Sequence, residues 1–408
     1  MRYAPLILAL AFFMLSALNA GESLTEEFSA LLQNELSKNE KIKQLEYEIQ
    51  ALEHQSRAES KWDNPSLSFG MSNAQVPTPL NLSANDMQNI FVSVGQNLDI
   101  NAKRNLQGTI TRKQSNIKLL ELKSLKNQYI LSMLIESINV KKNQQILVFT
   151  QDAIKNLDVL MASLHKSSNF NPLQLNKLNL LKAKLQIKQN DIQNQLQTSH
   201  IVISEVSFEH TTNLTPPTPD EKALKSVQRA DFIKDILQNN YEIQIALLRD
   251  SIAKDSLNLA KKSYIGDLTI SGSYMYRVSK PDMFALSLSI PLPIYGKERQ
   301  LVKQGSYENM LSQSGIAEMQ NTIKHTAFNL QAKLTNLQEN LKLIEDTLLP
   351  SNQKISNLYK HHSTSQSSAF LEFYNAMNDE IDTHILRLEM LAQMYIAYWN
   401  LRSLKGEI

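Results

Sequence analysis

The chain of 408 residues contains no cysteine. That excludes a disulfide scaffold, a cysteine nucleophile, a thiolate metal site and an acylated N-terminal cysteine. Glycine and proline are also scarce, at 10 and 12 residues, together under half of average usage. A loop-rich enzyme with phosphate-cradling turns is hard to build from so few glycines. No GxGxxG, P-loop, HExxH or GxSxG pattern occurs, and no paired-carboxylate pocket can be placed. Neither an enzyme, a cofactor nor a resident metal is expected. Charge of one sign is missing too: 42 Lys and Arg stand against 40 Asp and Glu, a formal net charge of +2. A protein that neutralised many phosphates would need a basic stripe, so nucleic acid is not an expected partner.

Long apolar runs are absent after the first twenty residues. Residues 1–20 read as a signal peptide, with Arg2 as a minimal positive region, an apolar stretch from Leu6 to Leu18, and Leu18-Asn19-Ala20 as the cleavage site before Gly21. No later stretch approaches 18 continuous apolar residues, so no transmembrane helix is expected in the mature chain.

What the chain has in abundance is helix-forming sequence. Neither Gly nor Pro occurs in 22–64, 109–171, 173–215, 220–265, 316–349 or 351–405, blocks rich in Leu, Lys, Gln, Asn and Glu. Several carry heptad spacing. Leu330, Leu334, Leu337, Leu341, Ile344 and Leu348 step by four and three, and Ile355 and Leu358 continue the frame. Leu371, Tyr374, Asn378, Ile381, Ile385, Leu388, Ala392, Tyr395 and Trp399 do likewise, as do Ile154, Leu157, Met161 and Leu164, and Leu178, Leu181, Leu185 and Ile192. Such spacing predicts coiled-coil-like seams. A run such as 109–165 would be about 85 Å long at 1.5 Å per residue. A plain helical rod fits these blocks equally well.

Two interruptions do not fit a rod. In the first, Leu67, Phe69 and Met71 alternate with Ser66, Ser68, Gly70 and Ser72. Past a polar loop, Ile90, Val92, Val94, Leu98 and Ile100 share one parity, with Phe91 and Gln96 as exceptions. In the second, Leu268, Ile270, Tyr274, Tyr276 and Val278 oppose Asp267, Thr269, Ser271, Ser273 and Arg277. Then Phe284, Leu286, Leu288, Ile290, Leu292 and Ile294 oppose Ala285, Ser287, Ser289, Pro291 and Pro293. These are two hairpins of roughly ten residues per strand, apolar on one face and small or polar on the other, as in membrane-spanning strands. A half-buried soluble hairpin gives the same pattern. The order of elements recurs, however. Repeat 1 covers 21–214, with its hairpin at about 65–100 and a helix-pair tip at about 165–172. The segment 215–220 is a proline-rich linker. Repeat 2 covers 221–408, with its hairpin at about 266–295 and a tip at about 361–370. The expected fold is mainly α with membrane β, a tandem helix–β-hairpin–helix repeat.

Four strands cannot close a membrane barrel, and an open sheet edge in lipid leaves backbone groups unsatisfied. Spanning strands must therefore be pooled between chains, giving a shared β-barrel continued by a barrel of helices. At this point the sequence resembles the TolC-like outer-membrane efflux duct family, over essentially the whole mature chain. The resemblance is carried by Trp62-Asp63-Asn64-Pro65-Ser66-Leu67-Ser68-Phe69 entering the first strand, and by Leu288-Ser289-Ile290-Pro291-Leu292-Pro293-Ile294-Tyr295-Gly296-Lys297 leaving the last. It implies a homotrimer with a twelve-stranded barrel in the outer membrane of a Gram-negative bacterium. It also implies a long helical tunnel across the periplasm, docked through an adaptor (a membrane fusion protein) to an inner-membrane pump. The Asn-Pro strand entry looks most like the branch serving heavy-metal cation pumps. A drug-efflux or type I secretion duct is the alternative within the fold, and an exported coiled-coil structural or adhesion protein the alternative of another class. The acylated cysteine of many relatives is absent, and Tyr359-Lys360-His361-His362-Ser363 stands where the second tip of relatives carries a glycine.

Relatives narrow at the periplasmic end through inward acidic residues, for which Glu372, Asp379 and Asp382 are the candidates; a solvated helix face gives the same pattern. Adaptor contacts would fall on Ser167, Asn169, Phe170, Pro172, Ser363, Ser365 and Phe370. Phe170 and Phe370 are either interaction anchors or packing under their own turns. His165 and His361-His362 read as solvated tip residues before they read as cation ligands. Trp399 and Tyr395 read as seam packing. Tyr274, Tyr276 and Phe284 are an aromatic girdle at the lipid interface or ordinary strand packing.

Overall fold

The computed structural model describes residues 36–74, 76, 79, 81, 85–165, 172–207, 215–362 and 367–408, the side chains of 356, 359–362 and 367–370 excepted. The expected signal peptide lies outside them. In chain order the elements are α1 (Glu40–Glu59), β1 (Ser66–Ser72), β2 (Asn89–Leu98), α2 (Lys103–His165), α3 (Pro172–Ser207), α4 (Glu221–Ser226), α5 (Ala230–Asn239) and α6 (Tyr241–Lys262). They continue with β3 (Leu268–Tyr276), β4 (Met283–Ser289), α7 (Lys297–Leu343), a π-helical segment (Ile344–Leu348), α8 (Leu349–His362) and α9 (Ser367–Lys405). The described chain divides into two compact units. One comprises Gln44–Leu122 and Glu242–Met319; the other takes Lys123–Tyr241, Gln320–Ile408 and the stretch up to Lys43. No described helix is long and apolar enough to cross a membrane.

The first unit holds all four strands. They form one antiparallel sheet in the order β1-β2-β3-β4, so that the two hairpins join through β2 and β3. Strand lengths run from 7 to 10 residues. The alternation past Ser289 continues in the sequence through Ile294, but the strand stops there. Pro291 and Pro293 have no N–H to give to a ladder. Helices flank the sheet at tight approaches. Ser56 Oγ on α1 donates to the Gly108 carbonyl on α2 at 2.6 Å, and a Cβ at Gly108 would lie 2.8 Å from the Ser56 carbonyl oxygen and collide with Ser60. Lys113 on α2 reaches Asp255 on α6 at 2.5 Å. Asp99, its carboxylate buried, collects the backbone N–H groups of Asn101, Lys103 and Arg104 at 3.3, 2.9 and 2.9 Å. These are donors that the start of α2 would otherwise leave orphaned. Burial by itself would raise the Asp99 pKa, but these N–H donors and the Arg104 charge hold it below the ordinary carboxylate value.

The second unit is helical. Its largest apolar cluster joins Ile146, Leu157 and Met161 of α2 to Leu178, Leu181, Leu185 and Ile192 of α3 and to Ile381 and Ile385 of α9. The heptad positions on α2 and α3 are thus the packed ones. The segment 215–220 is tied in: Pro216, Pro217 and Pro219 are buried, and Asp220 caps α4 by accepting the Ala223 N–H at 2.7 Å. The C-terminus is fixed by Asn127 Nδ2 donating to Ser403 Oγ at 2.8 Å and Asn240 Nδ2 donating to the Leu404 carbonyl at 2.8 Å.

One seam departs from its sequence pattern. Leu334, Leu337, Leu341 and Ile344 are buried. Leu348, Ile355 and Leu358, in the same frame, are 43, 42 and 65% exposed. The cause is the π-helical segment, in which the Leu349 N–H reaches back five residues to the Ile344 carbonyl. Pro350 follows directly. It has no N–H to offer and its ring crowds the carbonyl four residues back, which favours a bulge there. The extra residue shifts the inward frame by one, to Leu349 and Asn352. Asn352 Nδ2 accordingly donates to Thr383 Oγ1 on α9 at 2.9 Å.

Candidate functional site

The sheet has two faces of opposite chemistry, and the register sorts every residue to one of them. Phe69, Val92, Tyr274 and Phe284 form one cross-strand row, and Leu67, Val94, Gly272 and Leu286 the next. Nothing in the described chain covers these rows: Phe69 is 82% exposed, Phe284 73% and Leu286 72%. On the reverse face the rows are Ser68, Ser93, Ser273 and Ala285, then Ser66, Gly95, Ser271 and Ser287. Their hydroxyls bond across strands, Ser273 to Ser93 at 2.8 Å and Thr269 to Asn97 at 2.7 Å. A water-soluble hairpin would bury its apolar face; here that is the bare one.

Gln96, Phe91, Met275 and Met283 break the alternation, the last three in one row on the hydroxyl face, and the first two have local explanations. Gln96 sits in the apolar row of Ile270 and Leu288 but at the helix end of the sheet. Its amide nitrogen turns onto the Asp63 and Asn97 carbonyls, each at 3.0 Å. Phe91 lies on the hydroxyl face opposite Gly70, and its ring fills the space a Cβ at Gly70 would need. Tyr274 and Tyr276 flank the β3–β4 loop, and the Tyr274 hydroxyl is hydrogen-bonded to Asp282. Strands β1 and β4 are the outer ones, each with a single strand neighbour in this sheet.

The other candidate residues lie on the helical unit. Glu372, Asp379 and Asp382 are all on α9 and all exposed. Spacings of seven and three bring the three carboxylates to one side of that helix, away from the buried Phe373, Ala376, Ile381 and Ile385. Asp382 Oδ2 accepts from Asn378 Nδ2 at 2.9 Å. Pro172 is the exposed first residue of α3, where a missing N–H costs nothing. Phe370 falls within α9. Ser167, Asn169, Phe170, Ser363 and Ser365 lie outside the described residues, and no group of three metal-capable side chains occurs among the described ones.

Several polar contacts around α9 had no pattern in the sequence. Arg387 grips Glu345 of the π-helical segment, its Nε at 2.8 Å and a terminal nitrogen at 2.6 Å from Oε1. His384 stacks at 5.0 Å and 44° against Phe149 of α2. Burial lowers its pKa, with Glu380 acting against that and Arg387 with it. Lys188 on α3 pairs with Glu389 at 3.3 Å. Beside them Lys142 is held below the usual lysine value, mainly by burial. Pro350 was the one available sign of the frame shift.

The fold is shared with solved outer-membrane channels. CusC, described by its transmembrane channel formation, superposes with a TM-score of 0.78 at 14% identity, over 96% of this chain and 95% of that one. The outer membrane protein VceC from Vibrio cholerae gives 0.74 at 12% identity, over 93% of this chain and 96% of that one. The open state of the Neisseria gonorrhoeae MtrE outer membrane channel gives 0.74 at 11% identity, over 93 and 88%. No family model and no curated protein matches the chain. The chain has the fold of outer-membrane channels, and these neighbours are channels rather than enzymes.

Proposed function

We propose that this chain is the outer-membrane channel subunit of a tripartite efflux system. It would form a homotrimer in the outer membrane of a Gram-negative bacterium and carry cargo from an inner-membrane pump, through a periplasmic adaptor, to the outside. The observation that carries this reading is the bare, two-faced sheet. Its apolar face suits lipid, its hydroxyl face suits water, and its two outer edges need strands from other copies. Three copies of a four-stranded sheet supply twelve strands, enough for a water-filled lumen. The helices would continue that lumen as a tunnel, in which the α9 carboxylates face the axis at the narrow end. The helix-pair tips around Pro172 and Phe370 would meet the adaptor.

Heavy-metal cations are the proposed cargo. Support comes from the Asn64-Pro65 strand entry. An acidic constriction also favours cations over anions. A deletion strain tests the reading: it should grow poorly on copper, silver, zinc or cobalt salts and recover with the intact gene. Sensitivity to drugs alone, with normal metal tolerance, would reassign the cargo. Recovery of the protein in the soluble periplasmic fraction would overturn the membrane role.

A further inference from the structure

The four junctions between helix and strand lie at one end of the sheet, because Ser66 stands opposite Gly95, Leu98 opposite Leu268 and Thr269 opposite Ser289. The two hairpin loops lie at the other end. The ends differ in charge. At the loop end cations and anions are equal in number: Lys280 pairs with Asp86 at 3.3 Å, and Arg277, whose guanidinium donates to the Pro281 carbonyl, is offset by Asp282, which accepts its backbone N–H. At the junction end Lys103 pairs with Asp267 at 2.7 Å and Arg104 with Asp99 at 3.5 Å. That leaves Lys61, Lys261, Lys262, Lys297 and Arg299 exposed. None of the five has an ion pair among the described residues, and Glu59, Asp63 and Glu298 offset them locally only in part.

Between these cations sit three exposed aromatic residues: Trp62 at 61%, Tyr264 at 44% and Tyr295 at 94%. The Arg104 guanidinium covers the Trp62 ring at 3.7 Å, which fixes the indole just beyond the sheet's apolar rows. Aromatic rings with basic side chains directly beyond an apolar band are suited to a headgroup layer, the rings at the headgroup level and the cations reaching past them. The surplus of positive charge selects the sign of that layer.

We propose that this collar seats on anionic phospholipid headgroups of the leaflet nearest the helices, an inference that rests on the membrane reading above. The loop end, with its matched charges, has no such preference. An anionic lipid surface attracts basic side chains by roughly fivefold each, so several acting together give a lasting lipid shell.

The chain's two tryptophans make the test direct. Trp399 is buried against Tyr398 at 5.1 Å and serves as a constant background; Trp62 reports on the collar. The full-length protein is reconstituted in phosphatidylcholine vesicles carrying a fixed fraction of either brominated phosphatidylglycerol or brominated phosphatidylcholine. Brominated phosphatidylglycerol should quench Trp62 several-fold more effectively. The difference should disappear in the Lys262→Gln/Lys297→Gln/Arg299→Gln protein. Raising the salt concentration should erase it in the unmodified protein too, which keeps the test decisive if the triple variant fails to insert. Equal quenching by both lipids, or a preference that survives both treatments, overturns the inference while leaving the protein in the membrane. No quenching by either lipid would place Trp62 outside the bilayer and overturn the membrane reading with it.

Discussion

Ser271 and Ser287 stand directly opposite each other on β3 and β4, their hydroxyls 2.6 Å apart. One position along, Gly272 and Leu286 are also opposite, but on the other face, where Leu286 is bare. A shift of one residue therefore moves a side chain from the surface proposed to meet lipid to the one proposed to meet water.

Neighbouring substitutions should for that reason behave differently. Leu286→Arg places a charge in the hydrocarbon and should cost about 2–4 kcal/mol near the bilayer midplane. It should reduce the yield of the folded, heat-resistant form seen on unheated gels. Ser287→Arg should fold normally and instead shift ion selectivity toward anions in planar bilayers. Equal folding yields for the two variants would contradict the two-faced sheet.

The frame shift at the π-helical segment can be tested by cross-linking, cleanly so because the chain has no cysteine. Asn352→Cys with Thr383→Cys replaces a 2.9 Å contact and should oxidise to an intramolecular disulfide. Ser351→Cys with Thr383→Cys, which an unbroken heptad through Leu348 would favour, should remain reduced. Rapid oxidation of the second pair alone would restore the regular frame.

The acidic side of α9 should govern permeation. Neutralising it with Glu372→Gln, Asp379→Asn and Asp382→Asn should leave trimer formation unchanged, since all three side chains are exposed. The reversal potential across a potassium chloride gradient should move toward zero as cation preference falls. An unchanged reversal potential would return these residues to the status of a solvated helix face.

His384 predicts a pH dependence of stability. Its folded-state pKa lies below the ordinary 6.5 because the ring is half-buried against Phe149. Between those two values the unfolded chain binds the proton and the folded one does not. Stability is therefore fully present above about pH 6.5 and falls as the pH drops, by at most about 1.4 kcal/mol per pH unit from this group. Melting temperatures at about pH 7.5 and pH 5.5 should differ more for the unmodified protein than for His384→Leu. A difference of the same size in both would remove His384 from the account.

Much of the architecture was legible in the sequence because its physics is periodic. Leu67, Phe69 and Met71 alternate in the chain and occupy one face of β1; Leu178, Leu181 and Leu185 step by three and four and are buried on α3. What escaped was aperiodic. The phase change after Ile344 depends on one proline and leaves no repeating mark. Arg387 with Glu345 and Lys188 with Glu389 join residues 42 and 201 positions apart, so neither pair could be read from local spacing. Strand β4 ended early because Pro291 and Pro293 keep an alternating pattern while removing ladder donors. Glu372, Asp379 and Asp382 were nominated through the family resemblance; their spacing of seven and three already puts them on one side of a helix, and the structure adds that this side is exposed.

The central claim is that chains pool their sheets into a conducting barrel. The measurement that tests it most directly is the mass of the detergent-extracted protein, taken together with its single-channel conductance in a planar bilayer. A particle of three chains of up to 46.4 kDa each, mainly helical with a minor β component and opening discrete conducting pores, is the predicted result. A water-soluble monomer or dimer with no conductance would contradict it and would leave the two hairpins as parts of a periplasmic rod.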